Sequence, residues 1–175
     1  MREAVKDQRT AVFFDRDGVL NVDYGYVGEL ERFEWIPGAR QAIAAVNRAG
    51  RLAIVITNQS GVARGMFSEA DMNRLHAAMQ ADLATIGARI DAFYICPYHA
   101  DALVPAFRHP DHPDRKPNPG MILRAIADWD IDPNRSMLIG DKESDMEAAR
   151  RAGVSGLLFE DGDLAAFLAG AMVPK

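Results

Sequence analysis

Strand-like and helix-like stretches alternate along nearly the whole chain, and this alternation restricts the fold more than any other feature. Short β-rich runs stand at "AVFFD" (Ala11 to Asp15), "RLAIVIT" (ending at Thr57), "IDAFYIC", "SMLIG" and "SGLLF". Helical stretches lie between them. "PGARQAIAAVNRAG" has Pro37 as its expected start and Gly50 as its stop, and "SEADMNRLHAAMQADLATIG" opens on Ser68 with an acid three residues on, the pattern of a capping box. "GMILRAIADWD", "ESDMEAARRAG" and a short tail complete the helices, with Met121, Ile122, Ile126 and Trp129 at core spacing. Alternation of this kind predicts an α/β fold: a doubly wound, Rossmann-like parallel sheet wrapped by helices. Two long connections interrupt it, residues 18–36 and 97–118, where connections of about 2–6 residues are usual. Both follow the carboxyl ends of strands, where open sheets of this type bind ligands, so they are expected to act as small flaps rather than as a large cap domain.

Composition narrows the function classes. A chain of 175 residues with 49% hydrophobic content fits one domain, 1–175, with residues 1–9 expected to be flexible. Net charge is -5, so no basic field draws in nucleic acid. The single cysteine cannot form an internal disulfide, the start "MREAVKDQRT" is no signal peptide, and no apolar run reaches the ~20 residues of a membrane helix. A soluble cytoplasmic protein is expected, a monomer with neither nucleic-acid nor membrane partners.

Chemistry gathers at the strand ends. The first strand runs into "DRDGVLN", and side chains at i and i+2 of an extended chain point the same way, so Asp15 and Asp17 can face one pocket. Two such close carboxylates repel unless a cation or a shared proton relieves them. By itself the pair serves equally well as a turn cap. The second strand ends in "TNQSG", with the Thr57 hydroxyl, and the fourth in "GDKESD", with Asp141, Lys142 and Asp145 at a strand-to-helix turn. Lys116 arrives from "RKPNPG". Carboxylates for Mg²⁺, a hydroxyl and an ammonium on one sheet edge suit phosphoryl transfer, which depends on positioning and charge neutralisation.

The motifs "DRDGVLN", "TNQSGVARG", "RKPNPGM" and "GDKESDM", in this order and at these strand ends, resemble the four signatures of the haloacid dehalogenase-like phosphatases, and within them the heptose bisphosphate and histidinol-phosphate phosphatases. The likeness spans about residues 10 to 160. It implies a Mg²⁺-dependent phosphatase that removes the C7 phosphate of D-glycero-D-manno-heptose 1,7-bisphosphate, a small sugar phosphate, in nucleotide-activated heptose synthesis; histidinol phosphate is the alternative substrate. It implies Asp15 as the nucleophile that carries an aspartyl-phosphate and Asp17 as acid, then base. Mg²⁺ is implied at Asp15, Asp141 and the Asp17 carbonyl, with Thr57 and Lys116 on the phosphoryl oxygens, Lys142 beside the metal and substrate, and Asp145 orienting a lysine or a metal-bound water. Asp23, Tyr24, Gly25, Tyr26, Asn58, Gln59, Ser60 and Arg115 are implied to bind substrate, with Arg115 and Arg64 as candidates for a distal phosphate.

Plainer roles stand beside these. Asp23 and the tyrosines could pack a turn, Arg64 could be a solvated charge, His76 reads as a packed or surface histidine, and the acids of "FEDGDL" as turn and helix-start chemistry. Receiver domains share a doubly wound sheet with acids, a hydroxyl and a lysine, but not the D-x-D on the first strand. Heptose bisphosphatases often hold a structural zinc in the loop after the third strand, through a C-x-H pair and a C-x-C pair. Cys96 matches the first ligand, but Tyr98 stands at the histidine, and His112 and Asp114 at the two cysteines. Cys96, His99, His109 and His112 offer a substitute zinc set, but a lid stiffened by six of the nine prolines is the favoured reading.

Overall fold

The computed structural model describes residues 8–172. Five strands, β1 (Ala11–Phe14), β2 (Leu52–Asn58), β3 (Ala92–Cys96), β4 (Met137–Gly140) and β5 (Ser155–Leu158), form one parallel sheet in the order β3-β2-β1-β4-β5. β1 is central, pairing Val12 with Ala53 on one side and with Met137 on the other. The chain winds outward from β1 through β2 to β3, then crosses back to β4. The reversal of winding leaves a crevice at the carboxyl end of β1, the ligand position of open α/β sheets.

Strand alternation sends side chains to two helical layers. Val12, Phe14, Ala53 and Val55 pack with α1 (Ala39–Arg48), α3 (Glu69–Ala84) and α6 (Leu164–Ala171) through Ile43, Leu75, Met79 and Leu168. Ala11, Phe13, Ile54, Ile56 and Leu138 pack on the other face with α4 (Gly120–Trp129) and α5 (Glu143–Ala152) through Met121, Ile122, Ala148 and Ala149. Near-continuous apolar strands are what a sheet covered on both faces requires. Ile126 and Trp129 border this second layer, half-buried.

Local signals explain most boundaries. Ser68 and Asp71 form the capping box of α3: Ser68 Oγ accepts from the Asp71 amide at 3.1 Å and the Ser68 amide donates to Asp71 Oδ2 at 2.8 Å. Asp163 caps α6 by accepting from the Ala166 amide at 2.9 Å, as the helix-start reading of "FEDGDL" expected. α1 departs from expectation by beginning at Ala39, two residues beyond Pro37, because Gly38 takes a left-handed backbone (φ 77°) that a helix cannot include. A four-residue helix, α2 (Ser60–Ala63), follows β2 directly and had no separate sequence signal. The expectation of flexibility for residues 1–9 falls mostly outside the described residues; Arg9 itself bridges Ile131. The two long connections carry only short 3-10 turns, at Leu30–Arg32 and Pro105–Phe107. Among the described residues, no helix is long and apolar enough to cross a membrane.

Candidate active site

The end of β1 lies between the ends of β2 and β4, and the Asp15 amide donates to Ile139 O at 2.9 Å. Asp15, Asp141 and Asp145 consequently converge, offering carboxylate oxygens within 4.8 Å of one another. Burial pushes the Asp15 carboxyl up to about 7, with Asp145 and Asp17 acting in the same direction and Lys116 opposing them. Burial also raises Asp141, with Lys142 opposing.

Lys116 is the ammonium of this cluster. Buried at 5% exposure, its Nζ lies 3.0 Å from Asp15 Oδ1 and 2.6 Å from Asp145 Oδ1, and donates to Ile56 O at 3.0 Å. Burial disfavours its charge, yet the two carboxylates together lift its pKa above the usual lysine value. Asn58 fixes the backbone that delivers it: Asn58 Oδ1 accepts from the Lys116 amide and Nδ2 donates to Lys116 O, both at 3.1 Å. Asp145 is fixed in turn, because its Oδ2 accepts from the amides of Asp141 (3.2 Å) and Lys142 (3.0 Å) at the start of α5. A Cβ on Gly140 would lie 2.2 Å from the Asp145 Cβ, so the strand approaches that carboxylate as only glycine allows.

Asp17 lines the same cavity and is held by three side chains. Asn21 donates to its Oδ1 at 2.9 Å, Gln59 to its Oδ2 at 2.8 Å, and Arg16 to both oxygens at 3.0 and 3.2 Å. Arg16 has 0% exposure, although it lies between the two aspartates. Arg16 is absent from the residues expected at the site, although parity points to it: the residue between two that face the pocket points inward. Thr57 is fully buried and its Oγ1 accepts from Gln59 Nε2 at 2.8 Å, so its hydroxyl lies beneath that amide rather than open to the cavity.

The cavity over these groups measures about 550 Å³ and is walled by both flaps. Asp23, Gly25 and Tyr26 come from the first; Arg115 and Lys116 from the second; Asn58, Gln59 and Ser60 from the turn of β2 into α2; Lys142 from the N-cap of α5. Asp23 and Lys142 form an ion pair at 3.6 Å across the cavity. Tyr24 is exposed and turned to Glu34, whose carboxylate accepts from its hydroxyl. Arg115 donates to Tyr98 O at 3.2 Å, and the Arg64 guanidinium lies over the Tyr26 ring at 5.6 Å. The amides of Asn58 and Gln59, expected to recognise substrate, are engaged with Lys116, Asp17 and Thr57.

In the proline-rich loop, Cys96 is buried and the Nδ1 atoms of His99, His109 and His112 each accept a backbone N–H two residues on, from Asp101, Asp111 and Asp114. Tyr98 stacks on His112 with centroids 4.0 Å apart, and His109 meets His112 edge-on at 5.0 Å. Among the described residues, the grouping of His, Cys, Asp and Glu close enough to hold a metal is Asp15, Asp141 and Asp145.

That cluster fits a hard divalent cation. Its donors are all oxygens, Lys116 contacts the Asp15 and Asp145 carboxylates, and the buried Asp141 Oδ1 has no hydrogen-bond partner among the described residues. With Asp145 engaged by Lys116 and two amides, Asp15 and Asp141 are the carboxylates left to ligate.

Residues 114–167 match the family described as HAD-hydrolase-like. D-glycero-beta-D-manno-heptose-1,7-bisphosphate 7-phosphatase of Rhodopseudomonas palustris is 49% identical over 92% of this chain and 89% of its own length. D-glycero-alpha-D-manno-heptose-1,7-bisphosphate 7-phosphatase of Burkholderia mallei is 47% identical over 85% of this chain and 78% of its own. The crystal structure of D,D-heptose 1,7-bisphosphate phosphatase from B. bronchiseptica, complexed with magnesium and phosphate, superposes with a TM-score of 0.79 at 34% identity, covering 95% of this chain and 89% of that one.

Proposed function

The chain belongs to the haloacid dehalogenase-like phosphatases, and from that premise we propose that it removes the C7 phosphate of D-glycero-D-manno-heptose 1,7-bisphosphate. The observation that carries the reading is the buried Asp15 at the end of the central strand, paired with Lys116 and faced by Asp141.

In the proposed reaction an Asp15 oxygen attacks the phosphorus, and the bond from phosphorus to the sugar oxygen breaks. Asp17 gives its proton to the departing sugar oxygen. Asp17, now ionised, then takes a proton from water as that water attacks the aspartyl-phosphate, releasing phosphate and restoring Asp15. Lys116, held by Asp145, neutralises the phosphoryl oxygens, and Thr57 joins it once the Gln59 amide yields the hydroxyl. Mg²⁺, held by the Asp15 and Asp141 carboxylates and the Asp17 carbonyl, would supply further charge neutralisation at the phosphoryl group. Asp23, Gly25, Tyr26, Ser60, Arg115 and Lys142, which line the cavity, receive the sugar and its second phosphate, Arg115 through its guanidinium, whereas Tyr24, turned to Glu34, takes no part.

Phosphate release from the α and β anomers of heptose 1,7-bisphosphate and from histidinol phosphate tests the substrate, since relatives named for either anomer are similar to this chain. Preferred turnover of a heptose anomer is expected, and equal or better turnover of histidinol phosphate overturns the assignment. Asp15→Asn is expected to abolish turnover, and Asp17→Asn to lower it about 10²–10⁴-fold, the scale of lost acid–base help.

A further inference from the structure

We propose that Arg16 and His76 act as a positioning pair, through which helix α3 fixes the orientation of the Asp17 carboxylate. The proposal rests on the phosphatase reading above and adds two residues to it.

Arg16 is enclosed by the protein on all sides. Its Nη2 donates to both Asp17 oxygens, to Gln59 Oε1 at 3.2 Å and to the Val27 carbonyl. Its Nη1 lies 3.2 Å from His76 Nε2. A guanidinium only donates, so His76 must accept through Nε2 and carry its proton on Nδ1. The histidine is itself fixed: it is buried on α3, and its ring stacks on Phe93 of β3 with centroids 4.2 Å apart and planes 12° from parallel.

A guanidinium out of water is unfavourable unless paired and hydrogen-bonded, and since the buried Nε has no partner among the described residues, the contacts at Nη1 and Nη2 are what hold this one. Asp17 is the carboxylate in contact with it. Removing the His76 acceptor leaves Nη1, like Nε, without a partner and lets the guanidinium turn, with Asp17 following. Asp17 must hand a proton to one oxygen and take one from another at fixed places, and small displacements of such groups are expensive in rate. Packing of α3 against the sheet thereby reaches the chemistry through His76, Arg16 and Asp17 in turn.

A purely structural role is separable from a positioning role by the leaving group. An alkyl phosphate needs the proton from Asp17 to depart; p-nitrophenyl phosphate does not, but hydrolysis of the aspartyl-phosphate still needs Asp17 as base. His76→Phe keeps the stack on Phe93 and removes the acceptor, whereas His76→Gln keeps an acceptor. In His76→Phe, kcat/KM on heptose bisphosphate is expected to fall about 10–100-fold, the usual effect of losing an orienting partner. On p-nitrophenyl phosphate, kcat/KM should stay near wild type while kcat falls, with a burst of one nitrophenol per enzyme. His76→Gln should restore most of the loss, and Arg16→Met should show the same pattern more strongly if it folds. Equal losses on both substrates, equal losses in the two His76 variants, or no loss in His76→Phe would each overturn the proposal. Failure of the parent reading shows separately, as wild-type phosphate release that persists in Asp15→Asn.

Discussion

Asp145 illustrates how much of this site is decided by single bonds. Its Oδ2 satisfies two amides at the start of α5 and its Oδ1 meets Lys116 at 2.6 Å, so one carboxylate sets both the helix start and the ammonium. Asp145→Asn keeps the side-chain shape and removes the charge that holds the lysine against Asp15. Turnover is expected to drop about 10–100-fold with the fold retained, read by steady-state rates beside thermal melting; unchanged turnover would show that Lys116 needs no such anchor. His76 makes a second claim at this scale. Burial first, and Arg16 next, push its pKa down to about 3. The unfolded ring gains a proton below about 6.5 while the folded one stays neutral, so its contribution to stability is present above 6.5 and is lost as the pH falls toward 3. Denaturant unfolding at pH 7 and pH 4.5 should therefore show wild type losing about 1–3 kcal/mol more than His76→Gln, from the slope of 1.36 kcal/mol per pH unit.

Among the elements, α3 connects sequence, packing and site most directly. Its capping box was legible as Ser68 with Asp71, and its buried stripe of Met72, Leu75, His76, Met79 and Leu83 follows helical spacing. Ser68→Ala removes the acceptor for the Asp71 amide and is expected to cost about 1 kcal/mol, read as a lower denaturant midpoint. Turnover well below the melting temperature should hold, because the packing that seats His76 lies further along the helix. The alternation of strands and helices, the strand ends and the D-x-D pair were readable because local periodicity and turn chemistry determine them. The partners of Asn58, Gln59 and Arg16 were not, because they depend on which loops meet across the sheet edge. Asn58 illustrates the limit: a polar residue after a buried strand looks like a ligand-binding group, and only the fold shows its amide clamping the Lys116 backbone.

On the scale of the whole molecule, the doubly wound sheet brings β1, β2 and β4 side by side and so concentrates like charge at one edge. Asp15 and Asp145 share the Lys116 ammonium while Asp141 has Lys142 near it, and the raised Asp15 and Asp141 carboxyls reflect burial first, with neighbouring carboxylates adding to it. A divalent cation that binds only the folded arrangement must relieve the repulsion and stabilise the entire fold. At about 100 times its Kd, Mg²⁺ is expected to add about 2.7 kcal/mol to the unfolding free energy. For a chain of this size that corresponds to a rise in Tm of about 5–10 °C, reversed by a chelator. Asp141→Asn keeps the side-chain volume but removes the charge beside Asp15, so this variant should melt at nearly the same temperature with and without Mg²⁺. A full Mg²⁺ shift in Asp141→Asn would place the cation elsewhere and detach the acidic edge from the proposed chemistry.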